Sequence, residues 1–371
     1  MQAQPFLLLR IEGEIITSDS RNENIFLYRV PMGVVVGILP WNFPFFLIAR
    51  KVAPALIAGN TIVIKPSEET SNNAHIFAKI INELDLPKGL INVVYGKGKT
   101  VGKHLSAHTD IDMISFTGSV ETGSLIMQEA GKNITKVNLE LGGKAPAIVL
   151  GDADMDKAAT KIKNARVINS GQVCNCVERV YVDNKILDEF TDKLKKVMET
   201  VNFGNPNTED DIDYGPMINK DGLNKVEKLV KSASDEGAEI ITGGQSSKIE
   251  DGSYYQPTVV ANCKQDMEIV RKEIFGPVLP VLSFNDLDEA INYANDCDYG
   301  LTSSIFTSNI NTAMRAANEI KFGETMINRE NMEIFQAFHA GVRKSGIGGA
   351  DGKHGLYEYM QTHGVYIDYN D

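Results

Sequence analysis

Cysteine is scarce in this chain: four residues, Cys174, Cys176, Cys263 and Cys297, among 371. That is too sparse for a secreted scaffold held by disulfides. Long apolar runs are missing too. None approaches the ~20 residues that a membrane-spanning helix needs. The apolar run in the opening "MQAQPFLLLRIEGE" is shorter than a signal-peptide core and has no basic leader. A cytoplasmic setting is the expectation. Positive charge is in deficit, with 37 Lys and Arg against 49 Asp and Glu and a net charge of -12. An acidic surface repels nucleic acid and anionic membranes, so neither is an expected partner. Histidine is thin as well. The six, at 75, 104, 108, 339, 354 and 363, supply no CxxC or HxxxH partner for the paired thiols, although His104 and His108 sit four apart. No metal is expected.

What is present is an ordinary globular composition, 43% hydrophobic and 23% charged, in a chain long enough for two or three domains. From 31 to 150, "GVVVGIL", "TIVIKP", "INVVYG", "MISFTG" and "ITKVNLEL" read as strands. Between them "FFLIARKVAPALIAGN", "NNAHIFAKIINELD", "VGKHLSAH" and "SLIMQEAGK" read as helices. Strands that are apolar on both faces and alternate with helices imply a parallel, doubly wound α/β sheet. A second α/β region follows, with helices near 154–169, 186–200 and 220–236. Its strands include "RVYVD", "EIITGG", "VLPVLSF", "SSIFTS" and "ETMIN". At the ends, "EGEIITSD" with "NIFLYRV" reads as a hairpin and "HGVYIDYN" as a strand. Such strands need a partner sheet, and pairing with a second copy of the chain is expected. The boundaries expected are 31–142 and 143–345 for the two α/β domains, with 10–30 and 358–371 as a small β element for oligomerisation.

The stretch "NSGQVCNC" places Cys174 and Cys176 one residue apart. A metal site lacks further ligands, and a disulfide across that separation would be strained. Two buried thiols are the commonest fate of free cysteine. A nucleophile is the remaining reading, and it needs a dipolar setting, donors for an oxyanion and a base.

"GQVC" resembles the nucleophile motif of the aldehyde dehydrogenase family, and "LELGGKAP" from Leu139 resembles its general-base motif. "PWNFP", "KPSE", "FTGS" and "EIFGPVLP" follow the family's order, and the likeness runs from about Arg10 to the C-terminus. Within the family it is greatest to members acting on lactaldehyde and glycolaldehyde, through "NSGQVCNC", "INREN" and "FHAGVRKSGIGGADGKHGL". The resemblance implies a Rossmann-like cofactor domain, an α/β catalytic domain and a homodimer or homotetramer. It implies oxidation of a small aldehyde with NAD, with Cys174 as nucleophile and Cys176 as bystander. The Asn42 side chain and the Cys174 backbone N–H would hold the oxyanion. Glu140, in apolar surroundings that raise a carboxyl pKa, would be the base. Lys51 and Glu140 are both candidates for activating the thiol.

The fingerprint GxGxxG is absent: "GKGKTVG" has the wrong spacing, and "GKT" lacks the upstream glycine of a P-loop. The family's cofactor site instead implies Lys65 on the adenosine ribose and Glu68 on its 2′-hydroxyl, favouring NAD over NADP. Ser119 would meet the pyrophosphate at a helix N-terminus, Lys103 the adenine, and Glu273 with Phe275 the nicotinamide ribose. Leu39, Ser67 and Gly118 complete that set. Arg50, Asn175, Glu333 and His339 would line the substrate pocket. Such polar groups suit a small hydroxyaldehyde, while Arg50 also suits the remote carboxylate of succinate semialdehyde. Blander readings stand beside these: a turn residue for Asn42, a solvent-facing carboxylate for Glu140, a core histidine for His339. Full-length members carry about a hundred more residues ahead of the region that begins at Arg10. Their lack would leave apolar surface uncovered and impair stability, assembly or cofactor affinity. A silent subunit that only associates with relatives is therefore the rival to an active enzyme.

Overall fold

A computed structural model describes residues 11–369. The opening nine residues, Arg10 and positions 370–371 lie outside the described residues. The chain divides into two units, one holding 11–141, 333–340 and 346–369 and the other 142–332 and 341–345. The segment Glu333–Ala340 thus groups with the first unit, whereas the sequence reading carried the second domain unbroken from 143 to 345.

The first unit is built on a six-stranded sheet. Its order is Gly346–Ile347, Lys136–Glu140, Met113–Thr117, Val34–Ile38, Thr61–Lys65 and Ile91–Val93. The first of these is antiparallel to its neighbour and the other five run parallel. Alternate side chains leave a strand on opposite faces, so "VVVGI" feeds two cores. Val35 joins Leu47, Ile48, Val52, Ile62 and Ile64 on one side. Val36 and Ile38 join Ile114, Phe116, Ile126 and Leu139 on the other. Pro44 opens the helix Pro44–Ile57, where its missing N–H costs nothing. "VGKHLSAH" does not form the regular helix expected. It makes a π-type turn at Gly98–Gly102 and one short helical turn at Lys103–Ser106. The hairpin Glu14–Thr17 and Glu23–Pro31 forms, and Met360–Asp368 pairs antiparallel along the whole of its second strand. Ile15, Ile16, Tyr28, Tyr366 and Ile367 of this three-stranded sheet are exposed.

The second unit has a seven-stranded sheet in the order Glu239–Thr242, Thr258–Ala261, Val278–Phe284, Val177–Asp183, Ala145–Val149, Thr302–Phe306 and Glu324–Ile327. Only the first is antiparallel. Helices Met155–Val167, Lys220–Asp235, Leu287–Asn295 and Ile310–Glu319 start at Asp154, Asn219, Asp286 and Asn309, whose side chains accept first-turn N–H groups. The central strand "VERVYVD" is buried throughout, its charged residues included. Among the described residues no helix is long and apolar enough to cross a membrane.

Candidate active site

In the second unit the helix Met155–Val167 runs into a tight turn before the strand Val177–Asp183. Asn169, Ser170 and Gly171 take φ of 49°, 59° and 74°, a left-handed run that turns the chain sharply. Gly171 admits no side chain, since a Cβ there would lie 2.4 Å from the Gly276 carbonyl oxygen. Side chains pin the turn. Ser170 Oγ donates to Gly215 O at 2.7 Å, and Gln172 Oε1 accepts from Ile218 N at 2.9 Å. The two thiols then differ sharply. Cys174 is half-buried and Cys176 is buried. Burial is the first cause that pushes the Cys176 thiol up to about 12, leaving negligible thiolate at neutral pH. Asn175 is also buried, its carbonyl accepting from Thr302 Oγ1 at 3.0 Å. Gly143 packs against this turn: a Cβ on it would lie 2.4 Å from the Cys174 carbonyl oxygen.

Glu273 belongs to the same unit. Its Oε1 accepts from Gly143 N at 2.8 Å, and burial first, then the neighbouring Glu178 charge, push its carboxyl up to about 7. Phe275 sits at φ 58°, uncommon for a bulky residue.

In the first unit Glu140 ends the strand Lys136–Glu140 and is buried. Its Oε2 lies 3.6 Å from His339 Nε2, while Oε1 has no hydrogen-bond partner among the described residues. Burial pushes this carboxyl up to about 7 against the opposing pull of His339, Arg50 and Lys51. Lys51 is buried, and its ammonium, pushed down to about 7 by that burial, donates to Ser115 Oγ at 3.0 Å. Tyr359 OH reaches the same oxygen at 3.0 Å. Arg50 is clamped. Its Nε and Nη2 bond both oxygens of Asp351, and Nη1 reaches Glu333 Oε1 at 3.3 Å. His339 exchanges backbone hydrogen bonds with Ala350 and is buried. Asn42 is half-buried, two residues ahead of the helix Pro44–Ile57.

A second group of predicted residues gathers at the carboxyl ends of the first unit's parallel strands. Leu39 N donates to Lys65 O at 3.0 Å. The buried Lys65 ammonium donates to Pro66 O at 2.8 Å and lies 3.4 Å from Glu68 Oε2. Glu68 Oε1 accepts from Gly98 N at 3.3 Å, and Ser67 Oγ accepts from Glu69 N. Gly118 admits no side chain, its Cβ position lying 2.4 Å from the Phe116 ring. Ser119 caps the eleven-residue helix Val120–Ala130 through Thr122 N. Lys103 is exposed, 4.0 Å from Glu129.

Sequence reasoning missed Asp351, Ser115 and Tyr359 in the first unit and Arg166, Glu178 and Lys144 in the second. Asp351 lies 301 positions from Arg50, and nothing local links the two. Glu178 carries no local signal either, because its strand "VERVYVD" also holds Arg179 and Asp183.

The aldehyde dehydrogenase family matches residues 5–365, and the chain belongs to that family of oxidoreductases. It is 59% identical over 358 residues to lactaldehyde dehydrogenase of Escherichia coli strain K12, covering 96% of this chain and 74% of the relative. The crystal structure of the Escherichia coli enzyme superposes with a TM-score of 0.97 at 58% identity, over 98% of this chain and 76% of that one. A 3,6-anhydro-L-galactose dehydrogenase in complex with NAP gives 0.95 at 42% identity, over 98% and 77%. A Staphylococcus aureus betaine aldehyde dehydrogenase in complex with NAD+ gives 0.95 at 38%, over 99% and 74%. The chain spans about three quarters of the length of these relatives.

Proposed function

We propose that this protein oxidises a small, uncharged hydroxyaldehyde, of the size of lactaldehyde or glycolaldehyde, to its carboxylate with NAD. The observation that carries this reading is the clamp on Arg50. One guanidinium facing Asp351 and Glu333 is already neutralised, with acid to spare. It offers hydrogen bonds to hydroxyls and no free charge to a substrate carboxylate, which tells against succinate semialdehyde. A long alkyl aldehyde has no hydroxyl to accept from this guanidinium and would forgo that hydrogen bond, worth ~1.5–3 kcal/mol to a charged group.

The roles follow from the thiol contrast and the family motifs. Cys174 thiolate adds to the aldehyde carbon, a C–S bond forms, and the oxygen takes the charge. The Asn42 amide and the Cys174 N–H donate to that oxygen. Asn175, Glu333 and His339 orient the hydroxyl. When bound, the dinucleotide supplies a hydride acceptor at the Cys174 adduct, which leaves a thioester. Glu140, with a vacant oxygen and a raised pKa, takes a proton from water. The resulting hydroxide adds to the thioester carbonyl, the C–S bond breaks, and Cys174 departs as thiolate while the acid leaves. Lys51 supports the base and the thiol.

The residues present fit a dinucleotide. Lys65 and Glu68 offer a cation and a carboxylate at the strand ends, where open α/β sheets take their ligands. Such a carboxylate suits a ribose 2′-hydroxyl and repels a 2′-phosphate, which supports NAD over NADP. Gly118 and Ser119 present a capped helix N-terminus to the pyrophosphate. Leu39, Ser67 and Lys103 frame the adenosine end, and Glu273 with Phe275 the nicotinamide ribose. Thus 31–142 acts as the cofactor domain and 143–345 as the catalytic one. The exposed apolar residues of the three-stranded sheet pair with a second copy, giving a dimer or tetramer in the cytoplasm.

The test is NADH formation with lactaldehyde, glycolaldehyde and succinate semialdehyde, beside Cys174→Ala and Cys176→Ala. Activity on the hydroxyaldehydes that only the Cys174 change abolishes is the expected result. A folded sample silent with all three aldehydes would instead favour a subunit that only associates.

A further inference from the structure

Three motif-bearing segments of the second unit converge on one buried carboxylate. Glu178 Oε1 accepts from Arg166 Nη1 at 2.8 Å and from Phe275 N at 3.1 Å. Oε2 accepts from Lys144 Nζ and from Ile274 N, both at 2.8 Å. Arg166 carries the connection onward: Nη1 also donates to Val177 O at 2.7 Å, and Nη2 donates to Gly171 O. Lys144 directly follows Gly142 and Gly143, the latter donating to Glu273 and packing against the Cys174 carbonyl. Side-chain exposure is 0% for Arg166 and Lys144 and 2% for Glu178, so water cannot substitute for any of these bonds.

We infer that Glu178 is a positioning residue, holding the Cys174 turn and the Glu273–Phe275 segment in one fixed geometry from the back. It rests on the reading of Cys174 as nucleophile and Glu273 as a cofactor ligand. A hydrophobic residue would fill the same volume, but it could not accept from two cations and two backbone N–H groups at once. The bonds to Ile274 and Phe275 hold a segment that includes the left-handed Phe275. The bond through Arg166 ties down the last carbonyl of the left-handed run ahead of Cys174. The Glu178 charge also bears on Glu273, which faces Glu178, Lys225, Lys144, Arg166 and Tyr299.

Glu178→Gln tests this, because an amide accepts at one end only and opposes two of the four donors with its own N–H₂. Four quantities are read: kcat, NAD KM, the rate at which iodoacetamide alkylates Cys174 without cofactor, and the pH dependence of NAD KM. In a variant that folds and keeps its oligomeric size, kcat and the alkylation rate should each fall on the order of tenfold or more. The acid limb of the KM profile should move to lower pH, since Glu273 loses a repelling neighbour. A purely structural role would lower the amount of active enzyme and leave that limb in place. Parent-like kcat, alkylation and pH limb in a folded variant overturn the inference. If Glu178→Gln does not fold, Arg166→Lys decides. It keeps a positive charge on Glu178 and gives up the Gly171 bond, so alkylation should slow while NAD affinity holds. Parent-like alkylation there overturns the inference equally. If the parent itself makes no NADH, the proposed function fails, yet alkylation and NAD titration still report on positioning because neither needs turnover.

Discussion

Glu140 in the first unit and Glu178 in the second are both glutamates at 7% and 1% exposure, and burial raises the pKa of each. They end at opposite extremes. Glu178 meets four donors, two of them cationic, and is pulled down to about 2 despite its burial. Glu140 has a 3.6 Å approach to His339, one oxygen without a partner, and a carboxyl held up at about 7. The lysines follow suit. Lys144 donates to Glu178 and to Ile269 O at 2.8 Å each, whereas Lys51 donates to a serine hydroxyl. Burial alone therefore does not decide what a carboxylate is for. Donor count does: full satisfaction makes a permanent anion fit for holding backbone, and an unfilled oxygen makes a group that can exchange a proton.

The sharpest way to break this contrast is to remove the proposed proton acceptor. Glu140→Gln should cut steady-state kcat by ~10²–10⁴-fold, while a first-turnover burst of NADH persists in stopped-flow traces. Loss of the burst as well would move Glu140 out of the hydrolytic step. Next in size, Glu178→Ala strands two buried cations and should cost ~3–5 kcal/mol in denaturant unfolding. Glu140→Ala, which strands none so closely, should cost much less.

The pH profile is a gentler probe, and the two carboxylates should slope oppositely. The folded-state pKa of Glu178 is depressed, so its contribution is present above the ordinary carboxylate range and is lost as pH falls toward about 2. That of Glu140 is raised, so its contribution is complete below the ordinary range and is lost as pH rises toward about 7. Unfolding midpoints of the parent relative to Glu140→Gln should accordingly decline between those limits, while kcat climbs through the same window as Glu140 loses its proton. A flat difference would show that Glu140 is not the titrating group. The smallest expected effect belongs to Cys176→Ala, whose stability change should stay near ~1 kcal/mol with Cys174 alkylation unaltered.

Legibility in the sequence followed from how local the cause was. Strands such as Val34–Ile38 were readable because both faces are apolar. Ala145–Val149 was not, because Pro146 argues against a central strand. It is one nonetheless, with a register shift between Ala145 and Pro146 that accommodates the missing donor. Short motifs carried the proposed reacting residues, each being a few consecutive positions. What lay beyond reach were partners joined only by folding. Asp351 reaches Arg50 across 301 positions. Glu178 occupies a strand position that reads as solvent-facing until the sheet order shows three strands on one side of it and three on the other.

The antiparallel pairing of Glu23–Pro31 with Met360–Asp368 also sets a timetable for synthesis. Pro31 faces Met360, so roughly 330 residues separate the partners, and at ~5–20 residues per second the earlier strand waits on the order of 15–65 s for the later one. Through that interval its far edge has only the short Glu14–Thr17 hairpin arm for company. The growing chain therefore displays an unfilled strand edge throughout that interval, which gives a chaperone a long opportunity to act there.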